Sequence, residues 1–241
     1  MVGSFSASVL PLMHTISSLA ANNIIQSVSY ATFPISLMII GTAISVVFAT
    51  FSMKHLGRKR GLMFLLSTGL CACLLAAYAL DIENFYLFSL AAFLLGALNA
   101  TIHQMRFVAL EAVKEINHAT AAAIFMSSGI VAAFLGPEIG FMGKDIFEVE
   151  FKGSFILAAI LVAISMISLC LFNELKKEIK NIKKTKTSTS KLLSNPIFVL
   201  ALASGSTSYL VMSFIMVGTP LSMHEIHGHS LESTKWVIQS H

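Results

Sequence analysis

The sequence predicts an all-α membrane protein, a polytopic helical bundle, and three observations support that class. Of the 241 residues, 56% are hydrophobic and only 12% are charged, whereas a soluble domain carries about 25% charged residues. The mean hydropathy is +0.80. Uncharged runs of about 20 residues, the length that crosses a bilayer as a helix, recur along the chain. This composition excludes a disordered chain, a disulfide-stapled secreted domain and a nucleic-acid-binding module.

The first two predicted spans lie in the uncharged stretch before Lys54, the first formal charge. This stretch is much longer than the apolar core of a signal peptide, which has about 7–15 residues. We therefore expect spans at 6–26 and 35–53, with a turn near Pro34. The first span is the weaker one, because it carries His14 and three amide side chains.

Five more charge-free runs predict five more spans, which lie at 61–80, 85–105, 119–137, 153–173 and 195–223. The chain turns apolar again at Trp236, and we expect an eighth span to begin there. The predicted organisation is a six-helix transmembrane domain at 1–173, a cytoplasmic lysine-rich loop at 174–194 and the start of a second transmembrane domain at 195–241.

The basic residues predict the orientation, because loops rich in Lys and Arg stay in the cytoplasm. With the N-terminus in the cytoplasm, 13 of the 16 basic residues lie inside, and only Lys144, Lys152 and Lys235 lie outside. The positive net charge is therefore a topology signal, and some of these cations are expected to contact anionic membrane lipid. The lysine run at 176–191 has no interleaved aromatic residues and joins two spans, so we expect no nucleic-acid partner.

Two local patterns stand out from the composition. The loop after the second span places Gly57 before the three cations Arg58, Lys59 and Arg60. The fifth span carries small residues at helical spacing, among them Gly129, and a Gly136-Pro137 pair followed by Gly140. Small residues let helix backbones approach closely, and proline removes a helix hydrogen bond and bends the helix.

Together these patterns resemble the major facilitator superfamily of secondary transporters. Gly57, Arg58 and Lys59 match the end of its loop motif G-x-x-x-D-R-x-G-R-R, but Thr50 and Lys54 replace the first glycine and the aspartate. The fifth span is similar to G-x-x-x-G-P-x-x-G-G at the three positions Gly136, Pro137 and Gly140, whereas Ala132 and Phe141 replace glycines. The arginine of the fourth-span motif R-x-x-x-G would fall at Ala92 and is missing. The aspartate of the loop motif usually joins a charge network that holds one conformation, so Lys54 puts that network in question.

The blocks at 31–34, 104–107 and 219–224 further resemble an uncharacterised group of bacterial permeases in that superfamily. The resemblance implies two six-helix halves joined by a long cytoplasmic loop, in the cytoplasmic (inner) membrane of a bacterium. On that expectation this chain is the N-terminal half plus about one and a half helices, and the C-terminal half is missing.

Polar residues inside spans are costly and are candidates for function. In the fourth span Asn99, His103 and Arg106 follow at i, i+4 and i+7 and so share one helix face. The resemblance implies that spans one, four and seven line the central cavity, where this face could contact a polar or anionic substrate or relay protons. The alternative for Arg106 is that its side chain reaches the inner membrane surface.

The first span carries a similar stripe at Ser18, Asn22 and Gln26, and the seventh carries a polar stretch that includes Ser208 and Tyr209. Both would face the cavity in the family geometry. The alternative is that these side chains make hydrogen bonds between packed helices.

Three other groups have simpler interpretations. We expect Glu138 to be an interfacial residue, with a protonatable site as the alternative, and Glu111 to form an ion pair on the loop side. The outer-loop pattern H-x-x-H-x-H from His224 could bind zinc or copper, but no thiol or clear carboxylate completes the site, so we expect no metal. No nucleotide-binding motif or catalytic cluster is present, so we expect neither a cofactor nor an enzyme.

The predicted function is therefore secondary active transport of a small solute by alternating access, coupled to protons or another ion. The alternative is a seven-span receptor or sensor that does not transport. A retinal protein would need a lysine in the last span for the Schiff base, and 195–223 contains none.

Overall fold

The computed structural model describes residues 2–27, 29–111, 113–171 and 194–240, and within these ranges the chain forms helices and no strands. The helices are α1 (Val2–Ala7), α2 (Val9–Ile25), α3 (Phe33–Leu56), α4 (Arg58–Asp81), α5 (Phe85–Glu111), α6 (His118–Met142), α7 (Lys152–Leu171), α8 (Pro196–Leu221) and α9 (Leu231–Ser240). A short 3-10 turn at Glu115–Asn117 precedes α6, and a π turn at Ser222–Ile226 follows α8.

Six helices in the described part of the chain are long and apolar enough to cross a membrane. They are α3 to α7 and α8 extended to His224, which confirms the predicted all-α polytopic class. The first predicted span is also helical but is divided at Ser8 into α1 and α2, and α2 has only 17 residues. The division has a local cause, because Pro11 has no N–H to donate to the carbonyl of Ala7.

Ion pairs show that α4 runs antiparallel to both α5 and α7. Arg58 at the start of α4 pairs with Glu111 at the end of α5. Lys152 at the start of α7 pairs with Asp81 at the end of α4, with 2.6 Å between Nζ and Oδ1. We call the two ends of the bundle the Arg58 end and the Lys152 end.

The closest approach between helices joins α3 and α5. A Cβ atom on Gly96 would overlap the backbone of α3 at Gly41 and Thr42, and one on Gly41 would overlap the carbonyl of Phe93. Only glycine permits this separation, because any larger residue would force the two backbones apart.

Helix α6 uses two of its glycines to pack against the N-terminal helices. A Cβ atom on Gly136 would lie 2.9 Å from the backbone nitrogen of Leu12, and one on Gly140 would lie 3.1 Å from Ile16 Cγ2. Gly129 differs, because no atom lies within 4 Å of the place of its missing Cβ. The two glycines with close contacts thus lie about two and three helical turns after Gly129.

Three predicted span boundaries differ from the helices by five residues or more. Helix α5 continues to Glu111, six residues past the predicted end at 105. Helix α6 continues past Pro137 to Met142, because a proline inside a helix removes one hydrogen bond without ending the helix. Helix α9 begins at Leu231, five residues before Trp236, where the eighth span was expected to start. The predicted cytoplasmic loop falls almost wholly on residues 172–193, which lie outside the described residues.

The core lies mainly between α2, α4, α5 and α7. Phe88 of α5 and Phe155 of α7 are both fully buried, and their rings meet edge to face with centroids 5.5 Å apart. Helix α8 contacts α2 but buries few of its own residues, so most of its side chains, including Ile197 and Phe214, are exposed.

Candidate functional site

Asn99 is the first residue of the candidate polar face of α5. The side chain is 4% exposed and donates a hydrogen bond of 3.3 Å to the hydroxyl of Thr42 on α3. Thr42 in turn donates to the carbonyl of Met38. Asn99 also borders a cavity of about 10 Å³ that Ser6 and Leu10 border from the N-terminal helices, a volume close to that of one water molecule.

His103 and Arg106 lie one and two helical turns nearer the Arg58 end than Asn99. Both side chains are exposed in the described structure. The candidate polar face of α5 is thus buried and hydrogen-bonded at Asn99. It becomes accessible one to two turns later, at the two basic side chains. Arg106 is five residues before Glu111, where α5 ends.

The polar stripe of α2 goes from buried to exposed along the helix. Ser18 is buried, Asn22 is half-buried and Gln26 is exposed. Gln26 ends the helix in a left-handed conformation with φ of 49°, and its backbone N–H donates to the carbonyl of Asn22. The Oγ atoms of Ser17 and Ser18 are buried without a hydrogen-bond partner among the described residues.

His14 is a buried polar residue of the first predicted span, and it makes the hydrophobic signal of that span weaker. Its side chain is 4% exposed, and Nδ1 donates to the carbonyl of Leu10 at 2.9 Å. An imidazole in a predicted span was the available signal. The hydrogen bond within its own helix explains how α2 accommodates the ring.

The polar stretch of α8 remains open to the surroundings. Ser208 is exposed, and Tyr209 is 40% exposed. Helix α8 packs against α2, so the predicted polar positions of spans one and seven lie on neighbouring helices, while those of span four lie on α5.

The loop motif between α3 and α4 forms two contacts at the Arg58 end. Gly57 connects the helices with a φ of +84°, a conformation that glycine adopts readily. The guanidinium of Arg58 contacts both carboxylate oxygens of Glu111, which confirms the ion pair expected for Glu111. Lys59 donates from Nζ to the carbonyl of Cys170 at 2.7 Å and so ties α4 to the end of α7.

At the Lys152 end, α6 and α9 are joined by two polar contacts. Lys235 Nζ lies 2.9 Å from Glu138 Oε2, and Gln239 donates to the carbonyl of Phe134 at 3.2 Å. Beside these contacts is an open, mostly apolar groove of about 630 Å³ that Trp236 also lines.

The three histidines after α8 contact one another and the local backbone. The rings of His227 and His229 are stacked with centroids 6.4 Å apart, and His224 Nδ1 donates to the carbonyl of His229. Within the described ranges, no group of three or more His, Cys, Asp or Glu side chains is arranged to hold a metal ion.

Comparisons with known proteins agree on the family. The sequence profile described as Major Facilitator Superfamily matches residues 1–238. The riboflavin transporter RfnT of Brucella anthropi is 29% identical over 238 residues, which cover 98% of this chain and 60% of that protein. The uncharacterized MFS-type transporter YddS of Bacillus subtilis is 29% identical over 246 residues, which cover 94% of this chain and 56% of that protein.

The chain therefore spans little more than half the length of these two relatives. No solved structure matches at a significant level.

Proposed function

Because the chain belongs to the Major Facilitator Superfamily of transporters, we propose that it is the N-terminal part of a secondary active transporter that moves a small solute by alternating access. In this mechanism two halves rock about a site near the middle of the membrane. The observation that carries the proposal is the polar face of α5, which begins at buried Asn99 and continues to exposed His103 and Arg106.

The solute and proton pathway uses polar residues of three helices. They are Asn22 and Gln26 of α2, Asn99, His103 and Arg106 of α5, and Ser208 and Tyr209 of α8. His103 is the proton carrier in this scheme, because imidazole is the side chain that titrates nearest neutral pH. Arg106 binds an anionic or polar group of the solute.

Riboflavin is the first solute to test, because a relative that aligns with 98% of this chain is named a riboflavin transporter. A transporter that contains this chain would be expressed in bacteria that need external riboflavin. We expect uptake of labelled riboflavin that saturates with concentration, and at least tenfold less uptake for His103→Ala and Arg106→Ala. Asn117→Ala, outside the pathway, serves as the control. Unchanged uptake in both pathway variants would contradict their assigned roles.

We further propose that the 241 residues alone do not transport, because they cover only 60% and 56% of the two related transporters. Alternating access needs both halves of the transporter. Proteoliposomes that contain only this chain should show the same solute flux as protein-free vesicles. Flux above that background would show that these helices suffice.

The proposed location is the bacterial cytoplasmic membrane with the N-terminus and the Arg58 end in the cytoplasm. The four cations at 54–60 support this orientation through the preference of basic loops for the cytoplasm. A single cysteine placed at Lys144, at the opposite end, should react with a membrane-impermeant maleimide added to intact cells. A cysteine at Arg60 should react only after the cells are opened.

A further inference from the structure

A cavity of about 250 Å³ lies at the Arg58 end, between the last turns of α3 and α5 and the start of α4. Its polar lining comes from all three helices and consists of Thr50, Lys54, Arg58 and Gln104. This cavity is separate from the polar face of Asn99, His103 and Arg106, none of which lines it.

From the helix lengths we expect the rim of the cavity at Lys54 and Val108 to lie close to the lipid headgroups. Helix α5 has 27 residues, which is about 40 Å of helix at about 1.5 Å per residue. The hydrocarbon core of a bilayer is about 30 Å thick. The last turn of α5 therefore extends past the hydrocarbon, and Lys54 is only two residues before the end of α3 at Leu56.

The charge around the cavity is positive. Arg58 is paired with Glu111, but within the described residues no carboxylate lies at ion-pair distance from Lys54. Lys59 and Arg60 follow directly in the chain and add to the positive potential. In the family motif the position of Lys54 is an aspartate, so this chain has reversed the charge at the rim of the cavity.

The rest of the lining is apolar and comes from Met53, Phe107 and Val108. Phe107 is 57% exposed, so its aromatic ring is accessible to a ligand beside the cations. The cation and the amide donor suit a phosphate group, and the exposed apolar surface beside them suits acyl chains attached to that phosphate. A free phosphate would use only the polar part.

We propose that this cavity binds the phosphate group of an anionic phospholipid. Lys54 Nζ and the amide of Gln104 donate to the phosphate oxygens, and Phe107 and Val108 contact the first carbons of the acyl chains. Basic pockets between membrane helices at the cytoplasmic surface recognise lipid headgroups in this way. The inference goes beyond the proposed function, because it concerns lipid binding and does not depend on which solute is carried.

The test measures lipid retention and not transport. The purified chain would be released from nanodiscs that contain equal amounts of phosphatidylglycerol and phosphatidylcholine, and the retained lipids counted by native mass spectrometry. We expect selective retention of phosphatidylglycerol by the wild type. Lys54→Ala should lower it about fivefold, the factor that corresponds to the attraction of one cation at a membrane surface.

Arg60→Ala is the matched control, because it removes the same charge from the same connection but does not line the cavity. It should change phosphatidylglycerol retention less than twofold. Gln104→Leu keeps every charge and should still lower retention, which separates a built site from general attraction. Equal losses for Lys54→Ala and Arg60→Ala, or no preference between the two lipids, would overturn the proposal. So would displacement of the lipid by excess inorganic phosphate, which would assign the cavity to free phosphate.

Discussion

Glu138 of α6 and Lys235 of α9 form an ion pair with 2.9 Å between Oε2 and Nζ, across 97 positions of sequence. The lysine side chain is only 16% exposed, whereas the glutamate is 47% exposed. Glu138 directly follows the Gly136-Pro137 pair, whose glycine packs on the N-terminal helices. The contact therefore links the region of α6 that is anchored on α2 to a helix of the predicted second transmembrane domain.

The Glu138–Lys235 pair should show a measurable energetic coupling. Glu138→Gln and Lys235→Met should each lower the thermal stability of the purified chain, and the double variant should lose less than the sum. We expect a coupling of about 0.5 kcal/mol, because a partly exposed ion pair contributes about 0.2–1 kcal/mol. Glu232→Gln, on the exposed side of the same helix, is the control. Strict additivity would mean that the pair contributes nothing.

Reversing both charges should preserve the Arg58–Glu111 pair. Arg58→Glu alone places two carboxylates together at the Arg58 end and should destabilise the chain by about 1 kcal/mol, the upper range for an exposed pair. Adding Glu111→Arg should restore at least half of that loss, measured as the unfolding temperature in detergent. If the double variant is no more stable than Arg58→Glu, the contact between α4 and α5 does not depend on this pair.

The contact between α3 and α5 should be intolerant of any side chain at Gly96. Gly96→Val places three carbon atoms where the backbone of α3 lies, and overpacking of this kind costs about 1–3 kcal/mol or more. We expect little folded protein by size-exclusion chromatography.

Gly129→Ala is the matched control for Gly96→Val. Its Cβ meets no atom within 4 Å, and alanine favours a helix interior over glycine by about 1 kcal/mol. This variant should therefore be as stable as the wild type or more stable. A well-folded Gly96→Val protein, or an unfolded Gly129→Ala protein, would contradict the packing described.

The spans could be predicted from the sequence because the relevant physical signal is local. A run without charges is sufficient to indicate a helix in the bilayer. Helices α3, α4 and α7 lie within three residues of their predicted positions, whereas α5 continues six residues past its predicted end. The ends were harder to place, because Pro137 and Pro11 act in opposite ways. The first is accommodated inside α6, while the second separates α1 from α2.

The partners across the bundle could be predicted only in part. Glu111 was expected to pair near the inner surface, but its partner Arg58 is 53 positions away. Lys235 could not be assigned to Glu138, because the start and direction of α9 depend on packing against α6. The Gly41–Gly96 contact was also missed, since a single glycine in each of two spans does not reveal which helices meet.

Distances between spin labels at the two ends of the bundle test alternating access most directly. In a cysteine-free transporter that contains this chain, one label pair would join Met142 to Trp236 at the Lys152 end. The other pair would join Leu56 to Ile197 at the Arg58 end, and all four side chains are exposed. Alternating access predicts two distances at each end, with added solute shifting the two populations in opposite directions. A single unchanged distance at both ends, or both ends opening together, would contradict it.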